Sequence, residues 1–345
     1  MMCCASRGMW SEMFLKRLMR RSWTIKQFSS DKGLALLMVL WVLAVLSVIV
    51  LSFAFMARTE VFSTISFRDG MEKKFLAEAG IERGIMELFY RNANKNQISA
   101  IEGSEIVRID GRKYEGELGD STYSFSITDE SGKININALT DANGIILNSL
   151  IVNLGLSGET ANTIVDSILD WKDSDNLHRL HGAEDTYYES LPVPYKAKND
   201  KLDTLEELLL VRGVTPEILF GSESRPGLIN FLSVYSKVSA INLNAAVREV
   251  LMALPNMTSS MADRIVEFRE TAELRGQQDV SAIIGDVFRT IAPFVGFAES
   301  NMYTIEGRGL KKDEKRGYAI RAVMSIEGGN QHRYLYYKSP SDVKN

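Results

Sequence analysis

The chain has 345 residues, 45% of them hydrophobic and 24% charged, with a formal net charge of −4. That balance belongs to a folded, globular protein and excludes wholesale disorder. The charge is uneven: residues 1–33 carry seven Lys or Arg against two acids, leaving 33 basic and 42 acidic residues beyond them, a net of −9. A body that acidic has no general attraction for phosphate backbones, so no nucleic acid is expected as a partner, and cations suit it better. Both cysteines, Cys3 and Cys4, lie at the extreme N-terminus, so no disulfide framework can hold the rest of the chain.

The first predicted element is an apolar helix. Leu34 to Met56 is a run of 23 residues without a charge; as a helix it rises about 34 Å, enough for a hydrocarbon core of ~30 Å. Lys16, Arg17, Arg20, Arg21, Lys26 and Lys32 precede it. By the positive-inside rule they keep the N-terminus cytoplasmic and send everything after Arg58 across the membrane. A cleaved secretory signal is the rival reading, but its apolar core is shorter and closes on an A-x-A-like site, which is missing here. Past the run, Arg58 to Arg91 still reads as helix, without proline and with apolar residues at Val61, Ile65, Phe75, Leu76, Ala79, Ile85, Met86 and Phe89.

Asn92 to Ser104 is polar and reads as a loop. Glu105–Leu118 and Thr122–Thr128 alternate as strands about the turn signal Gly119-Asp120. From Ile134 to about Ala298 helical periodicity dominates, and from Met302 strand patterns return in MYTIEGRG, YAIRAVMSIEG and RYLYYKS. The economical arrangement is one sheet on the N-terminal helix, with the helical block inserted into it. That gives an α+β fold in five parts: leader 1–33, transmembrane helix 34–56, helix and first strands 57–133, inserted α-helical domain 134–300, and C-terminal strands 301–345.

Within the block, 134–173 and 241–270 both open on I-N-x-N-A and continue as helix, turn, helix. The second resembles a helix-hairpin-helix, a form used to hold DNA phosphates. That use needs hairpin glycines so that backbone N–H groups can approach a phosphate. Pro255–Ser260 has none, which favours a structural helical pair. In LDTLEELLLVRGVTPEILFG (202–221), Asp203 or Thr204 caps a predicted helix, Gly213 ends it and Pro216 opens the next, with Leu205, Leu208, Leu209, Ile218 and Leu219 spaced as buried faces. The stretch LDWKDSDNLHRLHGAEDTYY (169–188) gathers Asp170, Asp173, Asp175, Glu184 and Asp185 beside two histidines. Clustered acids on a loop suit a hard cation such as calcium, although the order is not that of an EF-hand. A solvated acidic loop is the plain alternative, and zinc through His178 and His181 lacks a third nitrogen or sulfur ligand nearby. GxSxG, Walker and HExxH motifs are all missing, so no catalytic residue is nominated.

Four stretches resemble the type II secretion protein K family, in order and over about Gly33 to Tyr337. They are Lys32-Gly33 followed by the apolar helix, the AEAG helix at 75–88, the acidic loop with LDW and GAED, and EELLLVRGVTPEIL. The resemblance implies a pilin-like long helix packed on an antiparallel sheet, with an inserted domain of helix-hairpin-helix or SAM-like units. It implies cutting by the prepilin peptidase between Gly33 and Leu34, calcium held by Asp170, Asp173, Asp175, Glu184 and Asp185, and association with minor pseudopilins I, J and H. It further implies a single-pass protein of the bacterial inner membrane with a periplasmic C-terminal domain and a structural, non-enzymatic role at the pseudopilus tip. One departure stands out: most pilin-like chains have glutamate as the fifth mature residue, and here that place is Met38. Two other readings are a membrane-anchored, metal-dependent hydrolase using the acidic loop, and a DNA-uptake component using the hairpin.

Overall fold

The structure, a computed structural model, describes residues 31–94, 107–311, 314, 317–327 and 331–341. Most of the leader and most of the loop expected over Asn92–Ser104 lie outside those residues. The first element, α1 (Asp31–Ala93), is a 63-residue helix. The chain forms two compact units, one ending at Phe67 and one beginning at Arg68.

In the first unit, residues 34–67 of α1 are exposed on every side. Over residues 34–56 it is also apolar all round, and an apolar helix uncovered by protein suits a hydrocarbon solvent better than water. It is long and apolar enough to cross a membrane. The Ser47 hydroxyl donates to the Leu43 carbonyl and that of Thr59 to the Phe55 carbonyl, both at 2.8 Å, so each is satisfied inside the helix.

In the second unit, the rest of α1 buries one stripe: Leu76, Ala77, Gly80, Ile81, Gly84, Ile85 and Leu88. Small residues there set a close approach to the sheet. A Cβ on Gly80 would lie 2.9 Å from the Ser124 carbonyl oxygen, and one on Gly84 2.8 Å from the Ile305 side chain. From the other side, Gly307 and Gly309 meet the backbone of Ala77 and of Lys73. This contact explains a departure from the expected apolar face. Phe75 and Met86 are 57% and 62% exposed, because the packing surface selects small side chains that an apolar-periodicity reading passes over.

The strands β1 (Asp110–Leu118) and β2 (Ser121–Asp129) form a hairpin across Gly119-Asp120. The chain then leaves the sheet through β3 (Ile134–Asn135), α2 (Gly144–Asn153), α3 (Gly158–Lys172) and α4 (Asp185–Tyr188). A 3₁₀ turn at Leu205–Leu210 leads to α5 (Pro216–Leu219), β4 (Leu232–Ser233) and β5 (Ile241–Asn242). Four helices follow: α6 (Arg248–Ala253), α7 (Ser259–Thr271), α8 (Gln277–Ile284) and α9 (Val287–Ile291). After β6 (Val295–Gly296) the chain re-enters the sheet as β7 (Met302–Leu310), β8 (Tyr318–Glu327) and β9 (Gln331–Lys338). The five-stranded sheet runs β1-β2-β7-β8-β9 and is antiparallel throughout, with Phe125 opposite Gly307 and Ile127 opposite Ile305.

The helices of the block are short, and the segment expected to be helical after Thr204 is a 3₁₀ turn. Side chains three apart eclipse in that geometry, so Leu205 and Leu208 are buried while Leu209 is 37% exposed, contrary to the expected face. Thr215 caps α5 with Pro216 at its first turn, and Gly213 takes a φ of +87°. In the second hairpin the left-handed position falls to Asn256, φ +60°.

The two I-N-x-N-A motifs perform the same task. The Asn135 carboxamide accepts from Asn137 N and Ala138 N, and that of Asn242 accepts from Asn244 N. The second asparagine then grips one distant leucine by both backbone groups: Asn137 with Leu202 N and O, Asn244 with Leu274 N and O. Each motif's strand also pairs in parallel with a later one, β3 with β4 and β5 with β6. The block thus repeats one plan twice.

Candidate metal centre

The acidic loop is built from the end of α3. Ser157 caps that helix by accepting from Thr160 N, and its apolar side, including Ile164, Ile168 and Trp171, enters the core. Asp170 and Asp173 stand one turn apart at its C-terminus, so they share a face. Carboxylates at that end are opposed by the helix dipole, which favours cations there. Trp171 meets Tyr188 edge-on at 5.1 Å, and Tyr188 stacks on Tyr195 at 5.3 Å. These rings fix the returning Gly182-Ala-Glu-Asp segment against α3. Arg212 Nη1 donates to the Gly182 carbonyl at 2.9 Å. A Cβ at Gly182 would collide with the Asp170 carboxylate, so only glycine lets the backbone pass so close.

This folding brings three of the five predicted acids together. One oxygen each of Asp170, Asp173 and Glu184 lies within 4.8 Å of the others. Oxygens on one calcium ion at ~2.4 Å are at most ~4.8 Å apart, so the three fit a single ion. Among the described residues, neither Glu184 oxygen has a hydrogen-bond partner, nor does Asp173 Oδ1, and all three atoms are buried. Leaving buried carboxylate oxygens unpaired is costly, and a cation would satisfy them. Burial, with the charges of Asp170, Asp173, Asp175 and Asp185, pushes the Glu184 carboxyl up to about 7. Burial also raises Asp170, against the opposing pull of Arg179.

The other two acids face elsewhere. Asp175 accepts from Leu177 N at 2.8 Å. Asp185 accepts from Ala197 N and from Lys196 Nζ, and this lysine holds its carboxyl below the usual range. The exposed His178 contacts the Arg179 carbonyl, and neither it nor His181 joins the cluster, so the donor set is all oxygen, as a hard cation requires. The residue that sequence reasoning missed is Arg179. It reaches Asp170, Asp173 and Asp141 together, and an arginine within an exposed acidic run carries no pattern that announces this.

A long apolar N-terminal helix whose C-terminal part lies on an antiparallel sheet defines a pilin-like protein. The family model described as type II secretion system (T2SS), protein K matches residues 132–220, a span that holds the whole acidic cluster. A putative type II secretion system protein K of Escherichia coli K12 is 22% identical over 314 residues, 84% of this chain and 92% of the relative. Protein K of Pectobacterium carotovorum is 27% identical over 199 residues, 55% and 60% of the two chains. That of Aeromonas hydrophila is 38% identical over 71 residues, 20% of this chain and 22% of that one. In fold, the chain is similar to one in the crystal structure of the GspK-GspI-GspJ complex from the enterotoxigenic E. coli type 2 secretion system. The TM-score is 0.50 at 15% identity, over 77% of this chain and 99% of that one. Residues 132–220 thus match the protein K model of type II secretion, and over most of its length the chain is similar to a protein K relative.

The raised carboxyl of Glu184 gives a pH signature. The folded protein holds this proton up to about pH 7, whereas the unfolded chain loses it near the ordinary glutamate value of 4.5. Between those values the native state binds more protons, so stability falls as pH rises through the window. In chelator, wild type is expected to lose stability relative to Glu184→Gln from pH 4.5 to 7, as followed by thermal melts. Parallel profiles would show that the carboxyl is not shifted.

Proposed function

We propose that this protein is a minor pseudopilin of type II secretion, held in the bacterial inner membrane by residues 34–56, with the N-terminus cytoplasmic and the folded part periplasmic. The prepilin peptidase cuts between Gly33 and Leu34, and the mature subunit joins minor pseudopilins I, J and H at the tip of the pseudopilus to support export of folded proteins. The observation that carries this reading is α1 itself: apolar over residues 34–56, uncovered as far as residue 67, and then striped for close packing on a sheet. Such a helix is an assembly element, able to exchange lipid contacts for contacts with other helices. Met38 removes the carboxylate expected at the fifth mature position, so the buried amine of a neighbouring subunit finds no partner charge here. This favours an end position in the filament over an internal one.

We further propose that the loop binds calcium through Asp170, Asp173 and Glu184, with Asp175 and Asp185 shaping the loop around them. A bound ion would neutralise the acids and lock α3 to the GAED segment, a structural role in a non-catalytic subunit. The supporting features are the three buried, unpaired oxygens and the all-oxygen donor set.

Intact mass of the protein extracted from membranes is expected to correspond to a chain starting at Leu34; an uncut N-terminus would contradict the pilin-like processing. Calcium at about a hundred times its Kd stabilises by about 2.7 kcal/mol, so chelator should lower the melting temperature by about 5–10 °C. Asp173→Ala should abolish that difference. A melting temperature indifferent to chelator removes the metal assignment.

A further inference from the structure

Arg179 sits where a cation bridging the acids would sit. Its Nη1 donates to Asp170 Oδ1 and to Asp173 Oδ2, both at 2.7 Å. Calcium would hold the same oxygens at ~2.3–2.6 Å, so guanidinium and ion compete for one space. The site is more than a cluster of acids, because Glu184, 3% exposed, brings to it a carboxylate with neither oxygen hydrogen-bonded. The same arginine has a second anchor outside. Its Nε and Nη2 reach Asp141 Oδ1 and Oδ2 at 2.9 and 3.3 Å, and the Asp141 side chain is 77% exposed. Its backbone is tied down independently, since Arg179 N donates to Asp170 Oδ2 at 3.1 Å.

We infer that Arg179 is a built-in competitor for the loop's cation, holding Asp170 and Asp173 in the metal-free protein and swinging fully onto Asp141 when a divalent ion binds. The inference rests on the metal reading above. Charge supports it. Three carboxylates against one guanidinium leave an excess of negative charge in a buried place, and a divalent ion removes more of it than an arginine does. The displaced guanidinium is not stranded, because the Asp141 fork already receives it. Only a side chain has to move. The exchange therefore lets the loop keep its shape without metal while lowering its affinity for the ion, since every binding event must first break two charge-assisted hydrogen bonds.

Calcium titration of the full-length protein in detergent, by calorimetry, separates the possibilities. Arg179→Gln should bind calcium about tenfold or more tightly, since it removes both the competing donor and a positive charge beside the ion. Asp141→Asn should bind about threefold more weakly, since it takes away the arginine's exposed refuge, a solvent-screened contact of small worth. Equal or weaker binding by Arg179→Gln overturns the competitor role and leaves the metal site standing. No binding by wild type or either variant overturns the site and the competitor together. Should Arg179→Gln not fold, Asp141→Asn decides alone: weaker binding supports the exchange and unchanged binding overturns it.

Discussion

A buried carboxylate ties the inserted block to the sheet. Asp129 ends β2 and is fully buried. It accepts from Ser131 N and Oγ as the chain leaves the sheet, from Asn242 Nδ2 at the start of the second I-N-x-N-A motif, and from Ser300 N and Oγ just before β7. Exit, interior and return of a long insertion therefore converge on two oxygen atoms. Burial pushes this carboxyl up, and the hydrogen bonds from Ser131, Ser300 and Asn242 pull against it. The neighbouring Glu130 repeats the device, bonding Thr304 Oγ1 and Lys133 Nζ at 2.5 Å. With the block's ends held there, β2 and β7 can pair as though they were consecutive.

The consequences run outward from that join. A correctly registered β7 places Gly307 and Gly309 under α1, and only then can the helix approach through Gly80 and Gly84. At its far end α1 delivers Arg91, 4% exposed, to Glu299 and Glu273, which stand on either side of the block's last helices. Helix, sheet and block are thus cross-linked by polar groups at their edges and by apolar packing inside. The acidic loop lies at the end of a helix of that block. Its carboxylates are held by the fold against their mutual repulsion, with Arg179 offsetting part of the charge.

Much of this was legible in the sequence, and the exceptions have physical causes. The apolar run, the strand patterns and the proline and glycine punctuation at Gly213 and Pro216 have short-range signatures, so they could be placed. The single sheet followed from element order. The helix stripe was misread at Phe75 and Met86 because glycines, which carry no hydropathy signal, made the contact. Leu205–Leu210 was misread because 3₁₀ and α-helix share a composition and differ in what they bury. At the acidic loop, composition and family resemblance pointed to five acids, of which the fold brings Asp170, Asp173 and Glu184 together. Nothing in the order of residues distinguishes them from Asp175 and Asp185, which turn toward Leu177 and Lys196. Asp129 acts across separations of up to 171 residues, where no local pattern exists to read, and the I-N-x-N-A repeat was visible while the leucines its second asparagines hold, 65 and 30 residues away, were not.

Native-state hydrogen exchange on the protein with Asp129→Ala beside the wild type tests the join most directly. In the wild type the amides of β2, β7 and the buried helices α2, α3 and α7 should open together, with one free energy equal to that of global unfolding. In the variant the block should open separately, by about 2–3 kcal/mol less, as unpaired donors are left at its ends. A block that already opens independently in the wild type, or a variant in which all these amides keep a common opening free energy, would contradict the account.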